Sequence, residues 1–61
     1  MEIYKDSDGR HQLIISRINI IFTRVRITPL YVQLFKGDSF VGNIYADSKD
    51  EFIILWHATN E

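Results

Sequence analysis

Apolar residues fall in short runs separated by turn chemistry, and most runs are rich in β-branched side chains, which favours strands over helices. Residues 2–5 (EIYK) form a first β-prone piece, and residues 6–10 (DSDGR) a turn. Asp and Ser can bond their own backbone there, and Gly9 accepts positive φ. Asp8-Gly9 between two apolar runs is a strong hairpin signal, with residues 11–16 (HQLIIS) as the return strand. Residues 17–28 (RINIIFTRVRIT) read as a long strand, ended at Thr28-Pro29 because proline lacks a ladder donor and holds Thr28 extended. A meander follows over Leu30–Ala58: a strand at Tyr31–Phe35, a turn at Lys36–Ser39, a strand at Phe40–Ala46, a turn at Asp47–Asp50 and a last strand at Glu51–Ala58. The tail from Thr59 to Glu61 is expected to fray.

Parity refines this outline. Ile18, Ile20 and Phe22 share one strand face, whereas Val25 and Ile27 have the opposite parity. One apolar face can be kept only if a bulge or sharp bend lies near Thr23-Arg24. A similar change between Leu13/Ile15 and Ile18 suggests a corner at Ser16-Arg17. Gly42 inside a strand marks a bend or a close backbone approach. Ile14, Ile18, Ile21 and Val25 also fit one helical face, but the β-branched density makes a helix the weaker reading. The last strand is apolar on both faces, with Phe52, Ile54 and Trp56 one way and Ile53 and Leu55 the other. Such doubling predicts burial against a second chain, with Ile53, Leu55 and Trp56 as the expected oligomer interface.

Length strengthens that expectation. A chain of 61 residues forms at most one small domain. It buries only about 60 % of its unfolded surface, and such domains usually need a disulfide, a metal or a partner subunit. The chain has no cysteine and two histidines, so self-association is the expected supplement, and no metal or cofactor is expected. The start turns polar too soon for a leader peptide, and no apolar run approaches the ~20 residues of a membrane helix. The expectation is a soluble cytoplasmic protein with no membrane contact.

The net charge of −1 speaks against a general nucleic-acid binder, but its distribution is uneven. Residues 1–31 set Lys5, Arg10, Arg17, Arg24 and Arg26 against Glu2, Asp6 and Asp8, a balance of +2. Residues 32–61 set Lys36 and Lys49 against Asp38, Asp47, Asp50, Glu51 and Glu61, a balance of −3. These charges serve as a solvated face, or as complementary ends that pair subunits or grip an acidic partner.

Candidate chemistry is sparse. Gly37-Asp38-Ser39-Phe40 resembles the nucleophile block of GDS-type serine esterases, but turn chemistry explains Gly, Asp and Ser without catalysis. Asp6-x-Asp8-Gly9 resembles the start of a calcium loop and lacks its later ligands. His11 and His57 sit in no catalytic spacing. Arg24 and Arg26 share a strand face, as i and i+2 must. With Tyr31 or Tyr45 nearby they could anchor a protein interface or hold phosphate and stack a base.

The stretch VQLFKGDSFVGNIYADSKDEFIIL resembles the first motif of Sm-like proteins, through Val32, Leu34, Gly37, Phe40, Gly42, Ile44, Asp47, Ile53 and Leu55. The family's last two strands and RNA-contacting second motif have no counterpart after Ala58. LFKGD is similar to a Src-homology-3 barrel segment, without that family's acidic-aromatic opening or paired tryptophans. Both resemblances imply a small barrel-like sheet.

The sequence therefore predicts an all-β fold over residues 1–61: a small antiparallel meander of five or six strands, bent into a small barrel or half-barrel and completed by oligomerisation. The expected function is non-enzymatic. A small regulator or inhibitor, such as a phage or plasmid accessory protein, would bind a protein partner as a homodimer or larger oligomer and act by steric occlusion. Its expected partner-binding residues are Arg17, Arg24, Arg26, Tyr31 and Tyr45. The alternative is a nucleic-acid-binding small β-barrel that adds Lys36 to the same Arg/Tyr surface.

Overall fold

The computed structural model describes residues 1–60. Six strands and one helix follow one another: β1 Glu2–Lys5, β2 His11–Ile15, β3 Ile18–Phe22, β4 Arg24–Ile27, β5 Tyr31–Lys36, β6 Ser39–Tyr45 and α1 Ala46–Thr59. The strands form two separate antiparallel sheets. Sheet A runs β1-β2-β3 and sheet B runs β4-β5-β6, each a simple meander. The molecule is mostly β, as expected, but it is neither all-β nor a closed barrel.

Local chemistry sets the turns. Asp6 closes the β1–β2 hairpin: its carboxylate accepts from the Asp8 and Arg10 amides at 2.8 and 3.2 Å, and Gly9 takes φ 83°. The corner expected at Ser16-Arg17 is a two-residue turn between paired Ile15 and Ile18, with Ser16 at φ 54°. The bend expected at Thr23 is where the chain leaves one sheet for the other. Thr23 alone separates β3 from β4, so the parity change between Phe22 and Val25 keeps both residues toward a common core. The β5–β6 hairpin turns on Gly37, at φ 62°, and Asp38.

Gly42 meets both readings made of it. Leu34 pairs with Gly42 and Phe35 with Phe40, so Val41 is an extra residue that bulges β6. A Cβ on Gly42 would lie 3.4 Å from Ile20 Cδ1, which marks where β3 crosses close over β6.

The expected last strand, Glu51–Ala58, and the turn before it are instead α1. Its inward positions Ser48, Lys49, Phe52, Ile53, Leu55, Trp56 and Thr59 follow helical spacing, while Asp47, Asp50, Glu51, Ile54, His57 and Ala58 are exposed. A helix can turn Phe52, Ile53 and Trp56 to one side, whereas a strand would divide them between two faces. Asp47 in the first turn and His57 in the last suit the helix dipole. Thr59 and Asn60, expected in a fraying tail, end the helix with side-chain bonds: Thr59 Oγ1 donates to the Leu55 carbonyl at 2.7 Å, and Asn60 Nδ2 to that of Trp56 at 2.7 Å. Glu61 lies outside the described residues.

Leu13 and Phe22 from sheet A, Val32, Leu34 and Ile44 from sheet B, and Phe52 from α1 form the buried core. The helix packs on β1, β5 and β6, and so lies over the inner faces of both sheets. Their outer faces stay open.

The outer face of sheet B as candidate functional site

Directly paired residues of an antiparallel ladder share a face, so the register of sheet B fixes which side chains line its outer surface. Three rows result: Arg24, Phe35 and Phe40; Arg26, Gln33 and Asn43; Tyr31 and Tyr45. The intervening rows, Val25-Leu34-Gly42 and Ile27-Val32-Ile44, lie on the inner face, where Val25, Leu34, Val32 and Ile44 pack in the core and Ile27 stays exposed at its margin.

The first row is cationic and aromatic. The Arg24 guanidinium carbon lies 4.1 Å above the Phe35 ring, and Arg24 Nε donates to the Gly37 carbonyl at 3.2 Å. Phe40 meets Phe35 edge-on, with ring centroids 5.9 Å apart. The Val41 bulge makes this possible. Phe40 and Asn43 differ by three positions and would point to opposite faces of a regular strand; the extra residue brings both outward.

The second row is polar. Arg26 is exposed, and no carboxylate or hydrogen-bond acceptor pairs with its guanidinium among the described residues. Asn43 Nδ2 donates to the Tyr45 hydroxyl at 2.6 Å, while Asn43 Oδ1 is shielded from solvent and has no donor among the described residues. In the third row the Tyr31 and Tyr45 rings lie 5.7 Å apart. Phe40 and Tyr45, on the edge strand β6, are 54 % and 57 % exposed. No acidic side chain stands in these three rows.

Four of the five expected partner-binding residues therefore share one surface: Arg24, Arg26, Tyr31 and Tyr45. Arg17 does not join them, since it sits in the β2–β3 turn of sheet A. Lys36 pairs with Ser39 at the end of the β5–β6 hairpin, outside the three rows. Sequence reasoning missed Gln33, Phe35, Phe40 and Asn43. The parity of Tyr31, Gln33 and Phe35 could have found two of them; Phe40 and Asn43 needed the bulge.

Ile53 and Trp56, expected at an oligomer interface, pack partly against this chain's own core, and Leu55 is half-buried. The large apolar side chain that α1 turns outward is Ile54, at 70 % exposure. Ser39 begins β6 and His57 lies exposed on α1, with no hydrogen bond between them among the described residues. No group of three or more His, Asp or Glu side chains is placed to hold a metal ion among the described residues. Among the described residues no helix is long and apolar enough to cross a membrane.

By contrast, the outer face of sheet A (Glu2, Tyr4, Gln12, Ile14, Asn19 and Ile21) carries no cation. Its Tyr4 hydroxyl donates to Glu2 Oε2 at 2.6 Å, and that bond, with the carboxylate's charge, holds the phenol above its ordinary pKa.

No family model, curated protein or solved structure matches this chain.

Proposed function

We propose that this protein is a non-enzymatic protein-binding module whose contact surface is the outer face of sheet B. One observation carries the reading: Arg24, Arg26, Tyr31, Phe35, Phe40 and Tyr45 surround the Gln33–Asn43 pair on one open sheet. Arginine and tyrosine are the residue types that dominate binding energy at protein interfaces. Tyrosine offers large contact area with few rotatable bonds, and the stacking of Arg24 on Phe35 holds part of the surface in place before a partner arrives. The mode of action is steric: a partner seated on this face is occluded from other contacts, as suits a small regulator or inhibitor.

A nucleic-acid reading has one observation in its favour, exposed Arg26, unpaired among the described residues, beside exposed aromatic rings. Against it, the face offers only two cations, Arg24 and Arg26. Backbone tracking along a single strand needs a longer basic groove.

The test is affinity capture from the native host with the wild-type chain and with the Phe40→Ser and Arg26→Ala variants, all confirmed folded by circular dichroism. A protein retained by the wild type and lost by both variants supports the reading. Equal capture by all three chains, or retention of nucleic acid alone, overturns it.

A further inference from the structure

We propose that the outer face of sheet B receives the exposed stripe of α1 from a second copy of this chain, in a head-to-tail arrangement. The inference rests on the reading of that face as a protein-contact surface, and it names the occupant.

Charge is the first argument. The stripe consists of Asp47, Asp50, Glu51, Ile54 and Ala58. At about 100° per residue these five positions span roughly 100° of the helix circumference, opposite the face that packs on the core. Its acids gather in the N-terminal half, and Ile54 and Ala58 follow. Asp47 and Asp50 have no ion-pair partner within the chain among the described residues, and exposed Glu51 has only the N-terminal ammonium at 3.8 Å. Sheet B presents the converse: two arginines and no acid. Among the described residues, Arg26 on the sheet and Asp47 and Asp50 on the helix lack an opposite charge that the other surface supplies.

Spacing is the second. The arginines stand on edge strand β4, while Phe40 and Tyr45 stand on the opposite edge, β6. Two inter-strand steps separate these edges by about 10 Å. On the helix, Asp47 and Ile54 are seven residues apart, again about 10 Å along the axis. A helix laid across the strands with Asp47 over the arginines of β4 therefore sets Ile54 over β6, with Asp50 and Glu51 between them. The exposed apolar side chains of both partners meet there.

Direction is the third. The helix covers the inner face of sheet B, so its outer stripe and the outer face of the sheet point to opposite sides of the molecule. Two copies cannot satisfy both surfaces of each other by a two-fold axis. The contact is heterologous, and repetition gives a ring or an open chain of subunits.

The experiment is sedimentation velocity on the purified full chain over a wide concentration range, at low and high salt. One chain has a mass of 7.2 kDa. The expected result at low salt is a mass that rises with concentration beyond a dimer, and falls in high salt as the charges are screened. Arg24→Glu/Arg26→Glu and Asp47→Lys/Asp50→Lys should each raise the concentration needed for assembly roughly tenfold or more. An equimolar mixture of the two variants should restore assembly, because every junction then joins opposite charges. That recovery also shows both variants to be folded. A wild-type mass of one chain at every concentration overturns the proposal. So does a two-fold dimer indifferent to salt, or a mixture no better than its parts. If the wild type is monomeric but Phe40→Ser still abolishes capture of a host protein, the self-docking is wrong and the contact face stands. If assembly occurs but ignores substitutions on sheet B, the face itself is wrongly assigned.

Discussion

The imidazole of His11 lies 4.6 Å from the indole ring of Trp56, and this pair joins the end of sheet A to the helix. Phe22 stacks on the same imidazole at 5.4 Å. His11 is 6 % exposed, and among the described residues neither of its ring nitrogens has a hydrogen-bond partner. Burial pushes its pKa below the ordinary value; the Lys5 ammonium adds to the effect and the Asp6 carboxylate opposes it. The folded chain thus holds a neutral histidine as an aromatic packing element.

A pH dependence of stability follows. In the unfolded chain His11 titrates near about 6.5. As pH falls below that value, the unfolded state takes up a proton that the folded state still refuses. The stability present above about 6.5 is therefore lost progressively, until the pH reaches the lower folded pKa. Melting of the wild type should shift to lower temperature between about pH 7.5 and pH 5.5. His11→Phe keeps the aromatic stack and removes the titration, so its shift over the same interval should be smaller. An identical shift in both chains would exclude His11 as the source.

Ala46 opens the helix directly after β6 with φ 51°, a left-handed conformation that costs a residue with a Cβ about 1 kcal/mol. No side chain caps the helix at Tyr45. Ala46→Gly should therefore stabilise the protein by up to about 1 kcal/mol, seen as a rise of several degrees in Tm for a chain of this size. Ala46→Val should lower Tm. A fall in Tm for the glycine variant would show that the left-handed residue is not the strained point of this junction.

Phe52 is fully buried where both sheets meet the helix, 6.1 Å from the rings of both Phe22 and Trp56. Truncation of such a ring costs about 3–5 kcal/mol. A chain this small has a total stability of roughly 3–9 kcal/mol. Phe52→Ala should consequently be largely unfolded at 37 °C, with lost near-ultraviolet dichroism and collapsed amide dispersion. A cooperative transition close to that of the wild type would mean that the helix contributes little to the core.

The strands were legible in the sequence because turn chemistry and parity act locally. Asp8-Gly9, Thr28-Pro29 and Gly37-Asp38 mark their own turns, and the parity change at Thr23 reveals a corner without showing that it joins two sheets. The helix was not legible for a physical reason. Five consecutive apolar residues, Phe52 to Trp56, satisfy any period, and their β-branched and aromatic types favour a strand in isolation. The deciding term is tertiary: α1 covers the inner faces of two sheets that would otherwise stand open. Helical spacing from Lys49 through Ile53 and Trp56, and from Ser48 through Phe52, Leu55 and Thr59, was the available counter-signal. At the candidate site, parity grouped Arg24 with Arg26, and the sequence expectation set Tyr31 and Tyr45 beside them together with Arg17. Placing four of these on one face and Arg17 elsewhere took the strand register, and adding Phe40 took a bulge that no local residue preference announces.

Thr23 carries the last prediction, since it ties the corner between the sheets to the far end of β5. Its amide donates to the Phe35 carbonyl at 2.7 Å, and its hydroxyl oxygen accepts from the Gly37 amide at 2.8 Å. The same hydroxyl lies 3.4 Å from the Phe35 carbonyl as a donor. One short side chain thus holds the turn on which Arg24 also depends, through its own bond to Gly37. Thr23→Val preserves shape and the backbone bond but deletes the hydroxyl, and should cost about 1 kcal/mol. Thr23→Ser keeps the hydroxyl and should lie closer to the wild type. Hydrogen exchange distinguishes a local loosening from a general one: the Gly37 amide should exchange faster in the valine variant, while the Leu13 and Val32 amides change only as far as global stability does. Unchanged Gly37 exchange would show that the β5–β6 turn holds itself, and that Thr23 acts only as a spacer between the sheets.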